Sequence, residues 1–115
     1  MDKVSLEAVA RNQLERAAMT SSGRSAQTVY GGHAYVLRQT VIALTSGITL
    51  DEHENPGEAT VQVLIGRVRL IAGDVSWEGR TGALIVVPPM RHSLEAMEDA
   101  AVLLTVAKIG STPEE

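Results

Sequence analysis

The chain of 115 residues has no cysteine and no phenylalanine, and only one tryptophan and two tyrosines. Without cysteine there is no disulfide scaffold, no thiolate metal site and no cysteine nucleophile. With so few aromatics the core must be filled by Val, Leu, Ile and Ala, and the β-branched share of that set favours strands. Positive charge is also in short supply: ten Lys and Arg stand against fourteen Asp and Glu, for a formal charge of −4. The basic residues are scattered, whereas nucleic acid and anionic membranes both call for a concentrated basic face, so neither is an expected partner. Apolar runs are far shorter than a membrane span, and no apolar signal-peptide core opens the chain. A cytoplasmic location is therefore expected. No G-x-S-x-G elbow supports a hydrolase triad, and Gly31-Gly32 reads as a turn rather than a phosphate-cradling loop.

What is present suits one compact domain. Hydrophobic residues make up 44% of the chain, enough for a packed core. Residues 5–18 form an amphipathic helical pattern, with Ser5 as N-cap and Leu6, Val9, Ala10, Leu14, Ala17 and Ala18 on one stripe. That stripe is expected to cover a sheet or a partner subunit. The small polar stretch TSSGRS, residues 20–25, ends it.

After Gln27 the chain reads as strand and turn. Residues 28–30, 34–44, 59–66, 67–72, 75–79, 83–89, 92–99 and 100–109 give eight short strands, with Gly73-Asp74 as a two-residue hairpin turn. ALIVVPP, residues 83–89, is apolar on both parities, as expected of a strand buried on two sides. Between 92 and 99, His92, Leu94 and Ala96 share one parity. Gln62 opposes Val61 and Val63 and so reads as exterior. Arg38 and Gln39 are neighbours, so only one can face inward. Trp77 is expected to pack in the core or an interface. The organisation expected is a helix and linker over 1–25, a barrel over 26–110 and a polar tail over 111–115. So many short strands and turns suggest an antiparallel barrel or jelly roll.

Two spaced motifs sharpen this. Gly47 is followed by ITLDE and then His53; Pro56 lies three residues on, and Gly66 closes the stretch. Gly82 is followed by ALIVV, then Pro88, Pro89 and, after Met90 and Arg91, His92. Fifteen residues, 67–81, separate them. In this order and spacing, the chain from about Gln39 to Val106 resembles the cupin superfamily of small antiparallel jelly-roll barrels. The resemblance implies an all-β cupin barrel behind a short N-terminal helix, and pairing into a homodimer. Apolar surface on ALIVV and AAVLLTV points to the same pairing.

In metal-binding cupins, two histidines and a glutamate of the first motif and a histidine of the second hold the metal. The resemblance therefore places metal ligands at His53 and His92. Asn55 stands in the second histidine position and Ala59 in the glutamate position. Glu58 lies one residue early and reaches the cavity as a third ligand only if the Pro-Gly turn distorts the strand. Glu52, Glu54 and His33 are further donors without a fixed place. A divalent site wants three protein donors, and spacing supplies two. Should a metal bind, manganese, iron, nickel or zinc suits imidazole with a carboxylate.

Three functions follow. The favoured one is a barrel that binds a small molecule at its mouth through His53, Asn55 and His92, with Met90 lining the entrance. The alternatives are a metal-dependent dioxygenase or isomerase using His53 and His92, and a structural or interaction barrel without ligand. Whether the protein is an enzyme stays open, since the fold hosts many activities.

Overall fold

The structure, a computed structural model, describes residues 2–53 and 57–108, with Glu52 and His53 described by their backbone alone. Helix α1 runs over Leu6–Ala18. Ser5 caps it, its Oγ accepting from the Ala8 amide at 3.2 Å, while Glu7 in the first turn and Arg16 in the last suit the helix dipole. The buried face is Ala10, Gln13 and Ala17. Gln13, rather than the expected Ala18, occupies this face because it lies on the stripe between Ala10 and Ala17 and is fully engaged. Ser25 Oγ donates to its Oε1, and its Nε2 donates to Gln27 Oε1 at 3.1 Å. A buried amide satisfied in this way ties the helix to the strand beneath.

Nine strands follow: β1 (Arg24–Gly31), β2 (Leu37–Leu44), β3 (Thr49–His53), β4 (Gly57–Ile65), β5 (Arg67–Ala72), β6 (Val75–Arg80), β7 (Leu84–Val86), β8 (His92–Ala96) and β9 (Ala100–Lys108). They form two antiparallel sheets, in the orders β1-β2-β9-β4-β7 and β3-β8-β5-β6. Alternation decides what each strand buries. Ala59, Val61 and Val63 of β4 face the other sheet, and Gln62 is exposed, as its parity predicted. Leu44, Val63, Val68, Leu70, Leu94, Ala96 and Val102 are among the side chains that pack between the sheets. A second cluster lies outside the larger sheet, where Ala10 and Ala17 of α1 meet Val41, Ala43, Ala101 and Leu103.

Three expectations need correction. The strand expected over 34–44 begins only at Leu37, because the chain is still turning through Tyr35 and Val36. β3 was not expected as a strand, since the acidic run after Leu50 hides its two-residue alternation. Its Leu50 nevertheless pairs with Leu94 of β8. The stretch 83–89 is not buried on two sides: it yields a three-residue edge strand, with Ile85 inward and Leu84 and Val86 exposed at 62% and 72%. An edge strand has one neighbour, and among the described residues no helix covers its outer side. The spare face of β9, by contrast, is taken up by α1.

Candidate functional site

β3 and β8 place the two motif histidines. The register pairs His53 with His92 directly across this ladder, next to an irregularity between Leu50 and His53. The His53 side chain, Asn55, Glu54 and Pro56 lie outside the described residues, as does the side chain of Glu52. His92 is described in full and is 5% exposed; it and Gln13 are the buried polar residues of the described chain. Its parity is inward, with Leu94 and Ala96, as expected. The Pro88–Pro89 turn brings the Met90 carbonyl back to within 2.9 Å of His92 Nδ1. A carbonyl can only accept, so Nδ1 carries the proton and donates. In the neutral imidazole, Nε2 is then the lone-pair nitrogen, and the bond to Met90 fixes both tautomer and ring orientation.

The ring lines an interior that is nearly full. Ile42, Leu50, Val61, Leu70, Leu94, Val102 and Leu104 surround, with His92, a void of about 20 Å³. That is room for about one water, against the several hundred Å³ of an ordinary ligand pocket. The interior between the sheets is thus a packed core with the His92 imidazole at its edge.

The remaining expected site residues scatter. Glu58 is exposed on β4, paired with Ala107 across the ladder, while its neighbour Ala59 is buried facing the core. No distortion turns Glu58 inward, so it is not a cavity ligand. The parity rule holds through the start of this strand. Met90 is 49% exposed, and its Cε lies over the Gly73 turn, at the rim rather than in the interior. His33 and Tyr35 are exposed in the β1–β2 turn, where Tyr35 packs against Tyr30 with ring centroids 5.6 Å apart. Trp77 is 42% exposed on the edge strand β6. Arg38, not Gln39, takes the inward parity, since Gln39 Nε2 donates to Thr105 Oγ1 at 3.1 Å on the helix side.

The motif glycines have separate physical reasons. Gly66 has φ +86°, and a Cβ there would lie 2.2 Å from the Asp99 carbonyl. Gly47 and Gly82 also have positive φ, but open space around them.

Among the described residues no three His, Cys, Asp or Glu side chains gather where they could hold a metal. Among the described side chains, one fixed imidazole, an outward carboxylate and an alanine at the acidic position do not make up the three-donor set of a catalytic divalent site.

No protein-family model matches the chain, and no curated protein sequence matches it at a significant level. Solved structures do. A conserved protein of unknown function from Streptococcus pyogenes is 27% identical, with a TM-score of 0.71 over 80% of each chain. An RmlC-like cupin protein from Desulfovibrio desulfuricans is 25% identical, with a TM-score of 0.64 over 73% of this chain and 81% of that one. A variant of salicylate 1,2-dioxygenase from Pseudoaminobacter salicylatoxidans, solved in complex with gentisate, is 18% identical with a TM-score of 0.75. It matches 90% of this chain, which spans 33% of the enzyme. These likenesses and the strand order agree: the chain is a small cupin barrel with an N-terminal helix.

Proposed function

We propose that this small cupin barrel binds a small molecule at its mouth, recognised by the fixed imidazole of His92 together with His53 and Asn55, rather than catalysing a metal-dependent reaction. The observation that carries the reading is the His92 geometry. A buried ring with Nδ1–H bonded to the Met90 carbonyl has its tautomer and orientation fixed beside an apolar wall, with Nε2 as the nitrogen of accepting type. Such a group recognises a ligand hydroxyl or N–H donor. The ligand stays at the rim, because the interior behind His92 is filled.

The same nitrogen is what a metal would use, and the fold is shared with a dioxygenase. The metal reading with His53 and His92 is therefore the second one, weakened by Ala59 and by the outward Glu58. We also keep the cytoplasmic placement, and a homodimer supported by the exposed Leu84 and Val86 on β7. Light scattering of Leu84→Thr/Val86→Thr beside wild type tests the pairing: a dimer turning monomer supports it, and a wild-type monomer sinks it.

The test of the main reading is a fragment screen by NMR, with metal content measured by elemental mass spectrometry on untagged protein. Hits whose shifts map to residues 90–94 and vanish in His92→Ala, with metal well below one equivalent, are expected. Near-stoichiometric manganese, iron, nickel or zinc, lost in His53→Ala/His92→Ala, would replace this reading with the metal centre.

A further inference from the structure

β1 is an edge strand of the larger sheet, and among the described residues its barrel-facing Arg24, Ala26 and Thr28 stay exposed. Cross-strand pairs share a face, so the register identifies what this side carries. Arg24 pairs with Leu44, Ala26 with Ile42, Thr28 with Thr40 and, past a bulge, Gly31 with Arg38. Leu44 and Ile42 belong to the core between the sheets, which fixes this as the inner side.

Along this edge is a cleft of about 390 Å³ lined by Ser22, Arg24, Ser25, Ala26, Thr40, Ile42 and Leu50. Its size falls within the range of small-molecule sites, unlike the interior void. Its chemistry is divided. Ile42, Leu50 and Ala26 form an apolar floor, and Ile42 and Leu50 also wall the interior. Arg24 stands at one end, and the Thr28 and Thr40 hydroxyls meet at 3.4 Å further along. Arg67 and Arg69 are held by Glu78, Glu95 and Glu98, whereas no ion pair engages Arg24 among the described residues. On a chain of formal charge −4, a guanidinium without an ion pair among the described residues, set over an apolar floor, favours an anionic head group.

We propose that this cleft is a second binding site, separate from the histidine mouth, for a small amphipathic carboxylate. The carboxylate pairs with Arg24 in the bidentate geometry guanidinium favours, and the apolar body lies on Ile42 and Leu50.

Octanoate is the probe, with octanol as the uncharged control, titrated against the full chain by 1H–15N NMR. Octanoate is expected to shift the amides of residues 22–26, 40–42 and 50 saturably. Arg24→Gln, at an exposed position, weakens octanoate by about tenfold or more and leaves octanol unchanged. Ala26→Trp, which fills the cleft, removes octanoate binding, while His92→Ala keeps it within about twofold. The proposal is overturned by shifts centred on residues 90–94, by equal octanoate affinity in Arg24→Gln, or by no saturable shift up to about 10 mM. Dilution-dependent shifts of the same cleft amides in a dimer would also overturn it, assigning the face to a second copy.

Discussion

The interior between the sheets and the cleft under β1 share Ile42 and Leu50 as common walls, yet differ in nearly every other respect. The interior void holds about 20 Å³ and is lined by aliphatic side chains with the His92 imidazole. The cleft holds about 390 Å³ and mixes an aliphatic floor with Arg24, Ser22 and Thr40. The difference follows from size. A chain this short with almost no aromatics needs its inner aliphatics packed against each other to remain folded. Both proposed recognition sites accordingly lie where packing ends, at the mouth beside His92 and at the edge strand β1.

The comparison can be broken most severely from inside. Leu70 is 1% exposed within the core, so Leu70→Ala is expected to cost about 2–5 kcal/mol in urea unfolding. A cost under about 1 kcal/mol would mean that the interior is loosely packed and open to ligand. Next comes Gly66→Ala, which forces a Cβ onto the Asp99 carbonyl at positive φ and should cost about 2–3 kcal/mol. Gly47→Ala, with the same φ and open space, should cost about 1 kcal/mol in the same assay. Equal costs would show that the carbonyl yields. His92→Leu removes the hydrogen bond to the Met90 carbonyl while keeping an apolar contact, so stability should fall by about 1 kcal/mol as fragment binding at the mouth is lost. Smallest of all, Arg24→Gln should stay within about 0.5 kcal/mol, since the side chain is exposed and unpaired among the described residues.

Much of the barrel was legible in the chain because its signals are local. Alternation at Ala59, Val61 and Val63 gave β4 its inward face, Gly73-Asp74 gave the β5–β6 turn, and the helical stripe from Leu6 to Ala17 gave α1. β3 was less legible, because Asp51 and Glu52 interrupt the apolar parity and only pairing with β8 makes it a strand. The exposure of β7 could not be read at all. Leu84 and Val86 are as apolar as any core pair, and their fate depends on an edge position set by the whole topology.

The candidate site divides in the same manner. The resemblance to the two cupin motifs put His53 and His92 together, and the backbone register pairs them. The tautomer of His92 depends on where a proline turn returns the Met90 carbonyl, which no spacing rule contains. Arg24 carried no signal in the sequence, being one scattered basic residue after a Ser-Gly turn. Only the edge position of β1 makes it the head of a cleft.

The measurement that tests the account most directly is a long-range 1H–15N histidine spectrum of the full chain at mildly alkaline pH, with His92→Gln for assignment. His92 is expected as a neutral imidazole protonated on Nδ1, with Nε2 at the position of an acceptor nitrogen. A His92 protonated on Nε2 would contradict it, removing the fixed lone pair on which recognition at the mouth depends.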